Sequence, residues 1–148
     1  VAIREGWYFA ETVFNNNRLA VDHSQIPTAV FSDPEIGTVG LTEGEAATHG
    51  NIDVYVARFR PMMNTLSTRT ERMILKLITE KDGGRVLGCH ILGPGAAEMI
   101  QLVAIPMGMG ATKPDFDRAI ALHPSAAEEL VTFKAPSYTY RDGHKIGG

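Results

Sequence analysis

Apolar residues recur along this chain at two different spacings. Over Val1–Phe14 they recur at helical spacing, with Ile3, Trp7 and Ala10 on one side, which predicts a helix with one apolar face. Shorter segments rich in β-branched residues and bounded by turn-forming residues predict strands. Asp82-Gly83-Gly84 is a strong turn signal between the last two strands, so a hairpin is expected there. The predicted strands are Thr28–Ser32, Gly37–Leu41, Asp53–Phe59, Arg72–Glu80 and Arg85–Leu92.

Start and stop signals predict the remaining helices. Thr42 and Glu45 have the T-x-x-E spacing of a capping box, so a short helix is expected after Thr42. Further helices are predicted over Ala96–Met109 and Lys113–Ile120. Pro106 lies inside the first of these and lacks a backbone donor, so we expect a kink or an early helix end there. The order of elements predicts an α+β domain, with a mainly antiparallel β-sheet covered by helices.

The composition narrows the class of protein. The chain has 148 residues, of which 44% are hydrophobic and 21% charged, as is typical of one soluble globular domain. A formal net charge of -3 argues against nucleic acid or an anionic membrane as a partner. No apolar run approaches the roughly 20 residues of a membrane span. The single cysteine, Cys89, is expected to be a buried thiol, and it suits a reducing, cytoplasmic compartment. No metal site is expected.

The candidate chemistry lies in Leu122–Phe133, which reads L-H-P-S-A-A-E-E-L-V-T-F. Pro124 suits the first position of a helix, because its backbone angle is fixed and its missing N–H would have no partner there. His123 is then expected just outside the helix, where its side chain can fold back onto Glu128. Such a pair is a candidate acid/base unit, since a carboxylate orients the imidazole and stabilises its charged form. An incidental histidine beside solvated acids accounts for the same spacing.

The residues around this pair carry a family resemblance. H-P-S-A-A-E-E-L-V-T, residues 123–132, resembles the C-terminal signature of the flavoprotein disulfide reductases, the class I pyridine nucleotide-disulfide oxidoreductases. Further stretches, in the same order and at the same intervals, resemble the dimerisation (interface) domain of that family, and its glutathione reductase branch most of all. They are Ala29–Thr42, Phe59–Ser67, Val86–Gly93, Ala97–Gln101 and Gly110–Phe116.

The resemblance implies that this chain is one part of a larger enzyme. Residues 1–22 would be the terminal helix and linker of an upstream FAD-binding domain, and residues 23–134 the dimerisation domain. Residues 135–148 are polar and end in glycines, so we expect a mobile tail. The chain has one cysteine, no G-x-G-x-x-G fingerprint and no initial Met. We therefore expect a C-terminal fragment that is inactive alone, binds no cofactor tightly, and has its FAD and NADPH domains upstream.

The implied activity is the NADPH-dependent reduction of glutathione disulfide by a homodimer, through FAD and a redox disulfide. By resemblance, His123 would be the acid that protonates a leaving thiolate in the partner subunit's active site, and Glu128 would orient it. The backbone at His123–Pro124 would contact the flavin ring. The start of the first helix would bring Val1 and Ala2 near the flavin, although the same pattern fits a plain core helix.

The substrate contacts implied by the resemblance are Phe59, Met62, Glu129 and Thr132, which also fit plain core or helix-surface positions. Trp7 departs from the family pattern, since several glutathione reductases have an arginine there that can pair with a glutathione carboxylate. Trp7 keeps trypanothione reductase open as an alternative, since its substrate is less anionic. Another disulfide reductase of the family, or a non-catalytic dimerisation module, also stays open.

Overall fold

Seven strands form one sheet in the computed structural model, which describes residues 1–148. The strands are β1 Thr28–Val30, β2 Ile36–Gly40, β3 Ile52–Phe59, β4 Met73–Glu80, β5 Val86–Leu92, β6 Tyr138–Arg141 and β7 His144–Ile146. The helices are α1 Ala2–Phe14, α2 Glu43–His49, α3 Met62–Thr65, α4 Ala96–Gly108, α5 Lys113–Asp117 and α6 Glu129–Thr132. The strand order is β1-β2-β5-β4-β3-β6-β7, and every neighbouring pair is antiparallel. The predicted α+β fold is confirmed.

The two faces of the sheet bury different apolar clusters. On one face Leu75 and Leu77 of β4 belong to the same cluster as Ile100 of α4. On the other face Ile78 belongs to a smaller cluster with Ala46 of α2. Successive side chains of a strand point to opposite faces, so β4 is buried along most of its length. The central strands therefore contribute apolar side chains to both faces of the sheet.

Local signals in the sequence predicted the turn, the cap and the long helix well. The backbone N–H of Thr42 donates to Glu45 Oε2 at 2.8 Å, and that of Glu45 donates to Thr42 Oγ1 at 3.3 Å, which confirms the capping box. The predicted hairpin of β4 and β5 is also confirmed. Pro106 does not end α4 early, because it lies in the last turn and the helix continues to Gly108.

The C-terminal residues form a hairpin, in contrast to the mobile tail expected over residues 135–148. β6 pairs with β3, and Tyr138 lies opposite Val54. Arg141 donates to the Asp53 carboxylate at 2.7 Å and to the Ile52 carbonyl oxygen at 2.9 Å. The polar composition that suggested mobility supplies hydrogen bonds to residues far away along the chain instead. Composition alone cannot reveal such partners.

Glu43, at the start of α2, connects this hairpin to the body of the sheet. Its carboxylate accepts hydrogen bonds from the hydroxyls of Tyr138 and Tyr140, each at 2.8 Å, and from Nζ of Lys76. Burial raises the pKa of Glu43, but the hydrogen bonds from Lys76, Tyr140 and Tyr138 outweigh it, so the pKa is lowered overall. Burial, followed by the contact with this carboxylate, raises the pKa of Tyr138 to about 12.

The apolar face of α1 is exposed, and no residue of this helix is buried. Ile3 is 92% exposed and Phe14 is 77% exposed. A hydrogen bond of 2.8 Å between His23 Nε2 and Glu5 joins α1 to the connection that follows it. The exposed face fits the expectation that residues 1–22 belong to another domain, which stays a prediction. None of the helices combines the length and the apolar character needed to cross a bilayer.

We expect the free energy of unfolding to decrease in acid as Glu43 becomes protonated. Its pKa in the folded chain lies below the ordinary value of 4.5. The stabilisation is therefore fully present above pH 4.5 and is lost as the pH falls through the folded-state pKa. Urea unfolding at neutral pH and at about pH 3.5 should show a weaker acid dependence for Glu43→Gln than for the wild type. Glu98→Gln, on the exposed side of α4, is the matched control; an unchanged acid dependence in Glu43→Gln would contradict the assignment.

Cys89 should be unreactive as long as the chain is folded. Its side chain is buried, and burial raises the pKa of the thiol to about 12, so the reactive thiolate is scarce and inaccessible. Alkylation by iodoacetamide at neutral pH, followed by mass spectrometry, should be negligible in buffer and complete in denaturing urea. Rapid alkylation of the folded chain would show that this thiol is not buried as described.

Candidate functional site

The segment Leu122–Phe133 contains a short helical run made of two pieces. A 3₁₀ helix, Ala126–Glu128, is followed directly by α6. The run begins at Ser125, whose hydroxyl accepts a hydrogen bond from the backbone N–H of Glu128 at 3.2 Å. The prediction that Pro124 is the first helical residue is therefore wrong. The serine hydroxyl caps the helix after the proline, so Pro124 stays outside it.

The side chains of His123 and Glu128 are in direct contact. Nδ1 of His123 lies 3.0 Å from Oε1 and 3.2 Å from Oε2 of Glu128. A carboxylate can only accept, so the Nδ1–H group is the donor. The side chain of His123 is 74% exposed, whereas that of Glu128 is 17% exposed. Nε2 of His123 has no hydrogen-bond partner within the chain, so one ring nitrogen is held while the other is open to a second molecule.

A cleft of about 320 Å³ lies beside Glu128. His123 is not among the residues that line it, although the adjoining Pro124 is. Glu128 forms part of its wall, together with three of the four residues expected to bind substrate, Phe59, Met62 and Glu129. Thr132 is not among the lining residues, and its hydroxyl donates to the Glu129 carbonyl oxygen at 3.5 Å. The cleft is therefore built jointly by the end of β3, by α3 and by the segment that contains the histidine.

Arg60 also lines the cleft, and no role was expected for it from the sequence. Its guanidinium donates to the carbonyl oxygens of Asn64 at 2.6 Å and of Ser67 at 3.0 Å, which holds the turn after β3 in place. Met63 and Thr65 complete this side of the wall. The signal that could have found them was present, because all three residues fall inside the stretch F-R-P-M-M-N-T-L-S that carries the family resemblance.

The residues expected near a flavin lie in two separate places. Pro124 lines the cleft described above, whereas Val1 lines a different depression formed with α4, beside Gln101 and Ile105. Val1 is the N-cap of α1 but has no side-chain hydrogen bond to the first turn, so N–H groups from Ala2 onward remain available to an outside acceptor. Such donors fit the edge of a ring that carries negative charge. No group of three or more His, Cys, Asp or Glu side chains is arranged to hold a metal ion.

Several known proteins are similar to this chain. A glutathione reductase from Nostoc sp. is 50% identical over 137 residues, which cover 90% of this chain and 30% of that protein. The chloroplastic/mitochondrial glutathione reductase of Pisum sativum is 47% identical over 149 residues, covering 100% of this chain and 27% of that protein. A trypanothione reductase from Leishmania donovani is 43% identical over 149 residues, covering 99% of this chain and 30% of that protein. The chain thus spans about 30% of the length of the relatives it matches.

A solved structure and a family match complete the comparison. The HOCl-induced flavoprotein disulfide reductase RclA from Escherichia coli has the same fold over 88% of this chain and 31% of that chain, with a TM-score of 0.75 and 24% identity. Residues 26–133 match the family described as "Pyridine nucleotide-disulphide oxidoreductase, dimerisation domain". The chain therefore belongs to the pyridine nucleotide-disulphide oxidoreductase family and contains its dimerisation domain.

Proposed function

We propose that this chain is the dimerisation domain of an NADPH-dependent glutathione-disulfide reductase that works as a homodimer with FAD. His123 would protonate the thiolate that leaves glutathione disulfide, and Glu128 would hold its imidazole in position. The observation that carries the proposal is this His–Glu pair, with Nδ1 of His123 3.0 Å from Glu128. Glu128 lines a cleft together with Phe59, Met62 and Glu129. The identity to two glutathione reductases, 50% and 47%, supports the choice of substrate.

The two ring nitrogens of His123 would have different tasks. Nδ1 donates to Glu128 and keeps its proton, so Nε2 is the nitrogen that gains and loses one. When a thiolate of the enzyme attacks one sulfur of the substrate, a new S–S bond forms, the old one breaks, and the other sulfur leaves with the electron pair. A proton delivered from Nε2 makes that sulfur a better leaving group. The carboxylate of Glu128 would stabilise the imidazolium form that donates this proton.

The cleft offers contacts that suit a peptide disulfide. Phe59 and Met62 would pack against its apolar parts, and the carboxylate of Glu129 would accept hydrogen bonds from its ammonium groups. Thr132 lies outside the cleft lining, at the end of α6, so a contact with substrate there would have to be made by a part of the substrate that extends beyond the cleft.

FAD and NADPH, when bound, would supply the electrons for the reaction, and both would be held mainly by residues outside this chain. Val1 and Ala2 would offer backbone N–H groups to one flavin, and the backbone of His123 and Pro124 would contact another. Val1 and Pro124 line two separate depressions, which suits contacts with the flavins of two subunits. The free, buried thiol of Cys89 suits a reducing compartment, so we place the enzyme in the cytoplasm.

Trypanothione disulfide is the alternative substrate, and one observation favours it. Trp7 is 57% exposed on α1 and cannot form an ion pair with a carboxylate of glutathione. The trypanothione reductase of Leishmania donovani matches 99% of this chain at 43% identity, whereas the glutathione reductase of Pisum sativum matches 100% of it at 47%, so coverage does not separate the two substrates. Trypanothione reductase belongs to the same family, so the chemistry proposed for His123 and Glu128 would be the same with either substrate.

Trp7→Arg in the full-length enzyme tests the choice between the two substrates. If glutathione disulfide is the substrate, the added guanidinium should raise kcat/KM for it roughly tenfold, because it offers a carboxylate a charged donor. Steady-state kinetics with glutathione disulfide and with trypanothione disulfide gives the ratio of the two kcat/KM values in the wild type and in Trp7→Arg. A wild-type enzyme that prefers trypanothione disulfide, and loses that preference in Trp7→Arg, would make the alternative correct.

His123→Ala in the full-length enzyme should lower kcat for disulfide reduction about 100-fold or more, since general acid catalysis contributes at least that much. Reduction of the flavin by NADPH should stay unchanged, and stopped-flow absorbance separates the two steps. Glu128→Gln should slow the same step less, because the histidine keeps a hydrogen-bond partner. His144→Ala, an exposed histidine in β7, is the matched control and should have no effect.

A non-catalytic dimerisation module would give a different pattern. The kcat for disulfide reduction by the assembled enzyme would then be the same in His123→Ala as in His144→Ala. The proposed role of His123 would be rejected. As a further control, the isolated 148-residue chain should not oxidise NADPH with glutathione disulfide, because it has one cysteine and no redox pair.

A further inference from the structure

Lys113 is a buried lysine at the start of α5, with only 3% of its surface exposed. Its Nζ donates a hydrogen bond to the carbonyl oxygen of Phe133 at 2.9 Å and another to the carboxylate of Asp117. The same atom lies 5.0 Å from the centre of the Tyr55 ring. A carbonyl, a carboxylate and an aromatic face thus surround the ammonium group, as a buried charge requires.

The two hydrogen-bond acceptors of Lys113 lie at opposite ends of one segment. Asp117 immediately precedes residues 118–132, and Phe133 immediately follows them. We call Arg118–Thr132 the histidine segment, because it contains both members of the proposed acid/base pair. One ammonium group therefore joins the two ends of the segment. Bringing the ends of a flexible segment together removes many of the conformations otherwise open to it.

The histidine segment needs such anchoring because its own secondary structure is short. Its helical run, Ala126–Thr132, is far below the length at which a helix is stable without tertiary contacts. Leu130 anchors the run to the core, where it is 5% exposed. The next anchor is Phe133, whose ring centre lies 5.7 Å from that of Tyr55 and whose carbonyl oxygen accepts the hydrogen bond from Lys113.

We propose that Lys113 is a positioning residue for disulfide reduction: through Asp117 and Phe133 it holds the histidine segment so that Glu128 meets His123. The inference rests on the proposed function. Without the ammonium group, the carbonyl of Phe133 loses its buried donor, whereas the carboxylate of Asp117, 45% exposed, can turn to water. The C-terminal end of the segment, and Glu128 with it, then loses its fixed position. A misplacement of about 1 Å can cost up to a hundredfold in rate.

Lys113→Met in the full-length enzyme tests this role, because methionine keeps the apolar part of the side chain and removes the charge. We expect kcat with glutathione disulfide to fall about tenfold to a hundredfold, while reduction of the flavin by NADPH stays unchanged. Lys76→Met is the matched control. It also removes an ammonium group that is hydrogen-bonded to a carboxylate, that of Glu43, but at a place remote from the histidine segment, so kcat should not change.

A double-mutant cycle separates positioning from a general loss of stability. If Lys113 acts through Glu128, then Lys113→Met should lower kcat less than twofold when Glu128→Gln is already present. If Lys113→Met lowered kcat by the same factor with Glu128 and with Gln at position 128, the inference would be overturned. If Lys113→Met does not fold, Asp117→Asn at the more exposed end of the contact takes its place. Asp117→Asn should lower kcat less than Lys113→Met does, and this decrease should also vanish in the Glu128→Gln background. An Asp117→Asn enzyme with the kcat of the wild type would overturn the inference.

The two proposals fail in distinguishable ways. If His123→Ala leaves the disulfide step unchanged, the proposed function itself is rejected, and the inference about Lys113 is rejected with it. If His123→Ala and Glu128→Gln slow the step while Lys113→Met has the kcat of the wild type, only the inference about Lys113 is rejected.

Discussion

The geometry of the candidate site depends on how one short helical run is held against the sheet. Ala126–Thr132 cannot persist as an isolated helix, so its position is set by side chains that reach it from elsewhere. Leu130 enters the apolar cluster on one face of the sheet, and Lys113 binds the carbonyl oxygen at the end of the run. These anchors fix the position of Glu128 relative to His123, because neither residue is itself buried in the core.

The sheet supplies the other half of the site. β3 ends at Phe59, and the turn that follows brings Met62 to the wall of the cleft, opposite Glu128 and Glu129. The hydrogen bonds from Arg60 to two carbonyl oxygens keep this turn from moving independently. The end of β3 and the helical run thus meet at the cleft. The imidazole of His123 is exposed, so a group from a second molecule can reach its Nε2.

The two ends of the chain differ in how they contact the rest of the fold. The apolar face of α1 is uncovered, and Trp7 on it is 57% exposed. At one edge of the sheet, β6 and β7 add two strands beyond β3, and Glu43 binds both Tyr138 and Tyr140. The N-terminal helix therefore keeps an exposed apolar face, while the C-terminal strands are hydrogen-bonded to the sheet.

The sequence by itself determined the elements whose signals are local, such as the capping box of Thr42 and the β4–β5 hairpin, because a cap or a turn depends on residues a few positions apart. The order of the predicted elements indicated the α+β fold. Three of the residues that the family resemblance implied as substrate contacts, Phe59, Met62 and Glu129, line the cleft. Only the tertiary structure decided that the C-terminal tail is a hairpin and that Lys113 joins the two ends of the histidine segment. Both depend on hydrogen bonds between residues distant in the chain, which composition and periodicity do not record. The start of the helical run after Pro124 is different, because the S-x-x-E spacing of Ser125 and Glu128 is itself a local capping signal.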